Sequence, residues 1–172
     1  ANVLRIADGM FIDICHQVGK EFPEVTIDDF IVDAMMAHVV RAPARFDVIV
    51  TTNMFGDILS DLTAELSGSL GLGGSINAGA QHAMGQAAHG SAPDIAGQNI
   101  ANPFSLILSA GMLLSWFGQR KGLQAFVQAH AAMEQVLADC IAAHECTRDV
   151  GGKLGTRETG VAFLKRLEQY PA

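Results

Sequence analysis

Residues 46–61, FDVIVTTNMFGDILSD, decide how this chain is read. FDVIVT is a continuous β-branched and aromatic run of the kind that forms a fully buried, parallel strand. From Met54 to about Leu66 apolar residues return at helical spacing. Strand, short turn and helix in that order place ligands at the carboxyl end of a strand in an α/β sheet. Asp57 and Asp61 lie four positions apart on the predicted helix, so both carboxylates leave one face about one turn apart. A bare pair of this spacing is commonly a solvated face. Here the surrounding Phe55, Ile58, Leu59 and Leu62 are apolar and the helix follows a buried strand, so solvent is not the expected neighbour. A hard oxygen site for Mg²⁺ or Mn²⁺ uses one or two such carboxylates and leaves positions for water and substrate oxygens. Asp33, embedded in IVDAMMAHVV, is a third candidate, because a buried aspartate needs a partner or a metal.

A second dense block, HGSAPDIAGQNIANP (residues 89–103), has neither helical nor strand period. Such a segment is expected to be a binding loop held by a scaffold. His89 offers a stacking ring, and Gly90 and Ser91 let a ligand approach the backbone. Asp94 can accept hydrogen bonds from ribose hydroxyls and would repel a 2′-phosphate, which favours NAD over NADP. Asn102 has two readings: the N-cap of a helix opened by Pro103, or a contact to an adenine. The glycines at 68, 71, 73 and 74 follow a GxxGxGG spacing, not the GxGxxG of a classical dinucleotide turn.

Around these blocks, helices are expected over about 2–22, from a cap at Asp28 to before Pro43, from Pro103 to about Phe117, over about 123–146, and up to about Gln169. A short strand is expected at 25–27. The apolar run 104–118 is shorter than the roughly 20 residues of a membrane helix and reads as a buried helix. The 172 residues suffice for one core or two small lobes, with a seam near Gly68. A net charge of −7 with 11 Lys and Arg argues against a nucleic-acid or anionic-membrane partner. Three cysteines, at 15, 140 and 146, form no paired framework and point to a reducing compartment, the cytoplasm. The chain enters a helical pattern at once from Ala1, so a further segment is expected upstream.

At NMFGDILSD and HGSAPDIAGQNIANP, and along ANVLR, VDAMMAHVVRAPARFDVIVTTN, SLGLGGSINAG and DVGGKLGTRET, the sequence resembles the isocitrate/isopropylmalate dehydrogenase family. These are metal-dependent β-decarboxylating dehydrogenases. The resemblance implies an α/β, two-lobe fold, incomplete here, with residues 1–67 in the central dimer-forming lobe and 68–172 in the cofactor lobe. It also implies a homodimer with shared active sites and NAD-dependent, Mg²⁺- or Mn²⁺-dependent oxidative decarboxylation of a 2-hydroxy acid. It makes Asp33, Asp57 and Asp61 the metal carboxylates, Asp33 reaching into the partner subunit's site. His89, Gly90, Ser91, Ala92, Asp94, Ile95 and Asn102 match the adenosine-binding loop, and Asp94-Ile95 resembles the NAD-type pair. The family's Glu-Pro before the loop histidine is Gln86-Ala87 here, so that glutamate's role does not carry over. The family's catalytic lysine immediately precedes the ANVL stretch, with the catalytic tyrosine and substrate-binding arginines further upstream; the chain is expected to be the C-terminal half and inactive alone. The expected substrate is 3-isopropylmalate-like or malate/tartrate-like, the alternatives being isocitrate or homoisocitrate. A rival of another class is a truncated, non-catalytic dimerisation module.

Overall fold

The computed structural model describes residues 4–171, which contain six α-helices and one two-stranded sheet. They fall into two compact units, the first ending at Thr63 and the second beginning at Ala64.

In the first unit, α1 (Arg5–Gly19) is opened by Asp8, whose carboxylate accepts the Leu4 N–H at 2.8 Å. The start of the predicted helix, at Asn2, lies outside the described residues. Gly19 ends α1 where any Cβ would run into Ile27. α2 (Val32–Arg41) begins four positions beyond the expected cap. Asp28 instead faces the Arg45 guanidinium at 3.8 Å, and Asp29 bonds His16 at 2.7 Å, so neither carboxylate is used at the helix start. Phe30 packs edge-on against His38 and Phe46, with Arg45 over the Phe30 and Phe46 rings.

The expected buried strand at 46–51 is not formed, and neither is the short strand at 25–27. Phe46 and Ile49 do pack on the small core of Met35, Val39 and Leu59. Val48, 88% exposed, and Val50, 67% exposed, face outward. A strand exists only through ladder hydrogen bonds to a neighbour, and none of the described residues supplies one. The helix that follows, α3 (Asn53–Leu66), forms as expected because its bonds are internal.

The second unit holds the larger core. Phe104, Val136, Leu137, Cys140, Cys146 and Phe163 bring together α4 (Phe104–Lys121), α5 (Gln124–Ala142) and α6 (Thr156–Glu168). Gly122, at φ 67°, makes the left-handed turn between α4 and α5. Residues 68–103 show no sustained periodicity in sequence, yet they contain a hairpin, β1 (Gly74–Ala78) against β2 (Ala83–Ala87), antiparallel with Ser75 opposite Gln86.

α4 is not the wholly buried apolar helix expected. Leu106 is 58% exposed, whereas Ser105 and Ser109 are fully buried and face the hairpin. The Ser105 hydroxyl donates to the Gly73 carbonyl and accepts the Ala88 N–H at 3.1 Å. Ser109 accepts the Ser75 N–H at 3.0 Å and lies 2.6 Å from the Gln86 carbonyl oxygen. Ser109 thus satisfies backbone groups of both strands and Ser105 those of the residues that flank them, which fixes where the chain leaves the hairpin for the binding loop. No described helix is long and apolar enough to cross a membrane.

Candidate functional site

Beyond β2 the chain passes through a 3₁₀ turn, Pro93–Ile95, entered by Ala92 in the left-handed region at φ 40°. This loop walls a cavity of about 620 Å³, within the size range of small-molecule sites. His89, Gly90, Ser91, Ala92, Ile95 and Asn102, six of the seven residues expected at a cofactor, line it together with Gly71, Asn99, Asp149, Thr156 and Arg157. Asp94, the seventh, is exposed on the 3₁₀ turn and is not part of the lining. A Cβ at Gly90 or Gly97 would meet nothing within 4 Å, so the loop leaves open space beside its backbone. The ring of His89 is held by Nδ1, which donates to the Gly90 carbonyl at 2.9 Å.

The far side of the cavity is a polar seam between the loop and α6. Asn99, left-handed at φ 57°, accepts the Thr156 N–H on its carbonyl and the Arg157 N–H on Oδ1, both at 3.0 Å. Its Nδ2 donates to Glu158 at 2.8 Å and holds that carboxyl below its usual range. Asn99 thereby does for α6 what a local N-cap residue would do. Thr156 Oγ1 donates to the Ala101 carbonyl at 2.5 Å.

Asn102 realises the capping reading: Oδ1 accepts the Phe104 N–H at 2.9 Å. Its Nδ2 donates to Asp149 at 2.8 Å, so both ends of the amide are engaged. Asp149 also accepts from Ser69 Oγ and Thr147 Oγ1, each at 2.5 Å. Desolvation pushes the Asp149 carboxyl up, but the bonds from Ser69, Thr147 and Asn102 outweigh it and the group sits below its ordinary value. Asp149 escaped the sequence reading although Thr147-x-Asp149 puts a hydroxyl and a carboxylate within local reach; its other partners are 47 and 80 residues away.

The three candidate metal carboxylates lie in the first unit. Asp57 and Asp61 are four positions apart on α3, both exposed, and Asp33 is exposed on the first turn of α2. The expectation that solvent would be excluded from them is corrected: the apolar residues that pack, Leu59 and Leu62, leave α3 on another side. Asp33 Oδ1 accepts the Ala34 N–H at 2.8 Å. Among the described residues no three His, Cys, Asp or Glu side chains converge as a metal-binding group. The donors are chemically suited to Mg²⁺ or Mn²⁺, being hard oxygens on an accessible surface.

The model of the isocitrate/isopropylmalate dehydrogenase family matches residues 1–163. A 3-isopropylmalate dehydrogenase of Archaeoglobus fulgidus is 45% identical over 92% of this chain and 46% of its own length. An NADP isocitrate dehydrogenase of Rickettsia bellii is 42% identical over 99% of this chain and 35% of its own. The crystal structure of isocitrate dehydrogenase from Methylococcus capsulatus superposes with a TM-score of 0.86 at 41% identity, over 98% of this chain and 49% of that one. The chain therefore spans about half the length of the relatives it matches, or less. Its α/β fold, with one hairpin as the sheet among the described residues, matches about half of such a structure. The chain belongs to the isocitrate/isopropylmalate dehydrogenase family.

Proposed function

We propose that the full-length protein carrying this chain oxidatively decarboxylates a 2-hydroxy dicarboxylic or tricarboxylic acid, using NAD and Mg²⁺ or Mn²⁺. The observation that carries this is the cavity of about 620 Å³ lined by six of the seven residues that match the family's adenosine-binding loop. In this reading residues 68–172 belong to the cofactor lobe and 1–67 to a central lobe through which two subunits pair and share active sites, in a reducing cytoplasm.

The reaction takes a hydride from the carbinol carbon and a proton from its hydroxyl, releases carbon dioxide and protonates the resulting enolate. Asp57 and Asp61, with Asp33 from the partner chain, would hold the metal, which would supply positive charge beside the substrate oxygen where negative charge develops. Gly90 and Gly97 admit the dinucleotide close to the backbone, and the neighbouring left-handed residues Ala92 and Asn99 set the loop's curvature. His89 provides a ring for stacking, fixed by its bond to Gly90. Asp94 supports NAD over NADP, since an exposed carboxylate on this turn repels a 2′-phosphate. The NAD-type pair supports a 3-isopropylmalate-like or malate/tartrate-like substrate. Isocitrate or homoisocitrate is the alternative, supported by the isocitrate dehydrogenases among the similar proteins.

The test is reduced-cofactor formation by the full-length protein with Mn²⁺ and a panel of 2-hydroxy acids. NAD should be preferred over NADP by more than about 1 kcal/mol, the scale of one lost or repelled polar contact. Asp94→Lys with Ile95→Tyr should move the preference toward NADP. Equal use of both cofactors by the unaltered protein removes the role given to Asp94, and no turnover with any acid removes the activity.

A further inference from the structure

We propose that Asp149 is a positioning residue for dinucleotide binding: its carboxylate ties Ser69 to Asn102 and so fixes two walls of the cavity that the binding loop encloses. The proposal rests on the functional reading of that cavity and adds a residue to it.

Three chain segments meet at this one carboxylate. Oδ2 accepts from Ser69 and Asn102, and Oδ1 accepts from Thr147. An ionised carboxylate, which only accepts, suits three donors. Ser69 and Thr147 are buried, so their hydroxyls have no water to turn to if the carboxylate is lost.

The consequences run to the cavity in two directions. Ser69 Oγ also accepts the Gly71 N–H at 3.0 Å, so its donation to Asp149 fixes the turn that presents Gly71. On the other side, the Asn102 amide can be placed only one way. Its Nδ2 must face the carboxylate and its Oδ1 the Phe104 N–H, because the flipped amide would set oxygen against carboxylate oxygen. Gly71 and Asn102 both line the cavity, and they touch each other closely enough that a Cβ on Gly71 would lie 2.7 Å from Asn102 Cβ. Asp149 is thus the common anchor of two wall residues that are 31 positions apart in sequence but adjacent in the fold.

The test uses the full-length protein and the variants Asp149→Ala, Asp149→Asn and Ser69→Ala. NADH binding is followed by its fluorescence, and kcat and KM are measured separately for dinucleotide and hydroxy acid. Asp149→Ala should raise the NADH dissociation constant and the NAD KM by about tenfold or more, the effect of losing charge-assisted hydrogen bonds. The kcat at saturating NAD and the KM for the hydroxy acid should stay within about threefold, because neither concerns the cavity walls. Asp149→Asn, with one acceptor oxygen in place of two, should fall between. Ser69→Ala should weaken NADH binding in the same direction, which keeps the test decisive if Asp149→Ala does not fold. Adding Asn102→Ala to Asp149→Asn should weaken binding by less than the product of the two single effects, since both act through one bond.

NADH affinity unchanged in both Asp149→Asn and Ser69→Ala overturns the positioning role. So does a parallel collapse of kcat, of both KM values and of melting temperature, which would make Asp149 merely structural. Unaltered protein that binds neither NADH nor NADPH overturns instead the functional reading of the cavity.

Discussion

Gly71 lies against Asn102 with no room for a side chain: a Cβ there would stand 2.7 Å from Asn102 Cβ and 2.8 Å from Nδ2. The glycine is needed for close approach and not for its dihedral freedom, since its φ is not in the left-handed region, unlike that of Gly68 at 126°. Gly71→Ala should therefore displace the Asn102 amide and destabilise the protein by about 1–3 kcal/mol, as overpacking does. Urea denaturation measures the loss, and a change below about 0.5 kcal/mol, the range of an ordinary surface substitution, would show that the wall can yield.

Ser105→Ala and Ser109→Ala should each destabilise by about 1–3 kcal/mol, because each leaves a backbone N–H, that of Ala88 just after the hairpin or of Ser75 within it, without its partner. Ser105→Cys, close in volume but a weak hydrogen-bonding group, should recover only part of the loss. Hydrogen exchange at Ala88 and Ser75 distinguishes this from general loosening: those two amides should accelerate first. Uniform acceleration across α4, α5 and α6 would contradict it.

Asp57→Asn and Asp61→Asn in the full-length protein should each weaken Mn²⁺ binding by about tenfold or more while leaving the melting temperature of the metal-free protein nearly unchanged. The second expectation follows from their exposure on α3, where removing one of two like charges at i, i+4 costs nothing and relieves a few tenths of a kcal/mol. Manganese titration by calorimetry or electron paramagnetic resonance reads the affinity. Unaltered affinity in both variants removes α3 from the metal site.

The depressed carboxyl of Asp149 makes a pH prediction with a definite sign. A group whose native pKa lies below its unfolded value stabilises fully above the unfolded value, here 3.8, and loses that contribution as pH falls through the native one. The stability difference between the unaltered protein and Asp149→Asn should be constant from neutral pH down to about pH 5, then shrink below pH 4 as the native carboxyl takes up its proton. Denaturation series across this range check it; a difference that persists at the acid end means the donors do not depend on the charge.

Helices α1 to α6 were legible in the sequence because their bonds close within four residues and their periodicity is local. So was the loop of residues 89–103, whose small and polar composition leaves no other structure available to it, and so was the resemblance that named the family. Three features were decided only by tertiary structure. FDVIVT has every local preference of a strand, but pairing is a property of two segments, and no described neighbour offers Val48 or Val50 a ladder. The hairpin of Gly74–Ala78 and Ala83–Ala87 is built mostly from small residues with weak strand preference, Ile76 apart, and it is held by Ser105 and Ser109 reaching from α4. Asp149 gathers Ser69 and Asn102 across 80 and 47 residues, a distance over which composition and spacing carry no information, because only the packing of α4, α5 and α6 determines which polar groups are left facing one another.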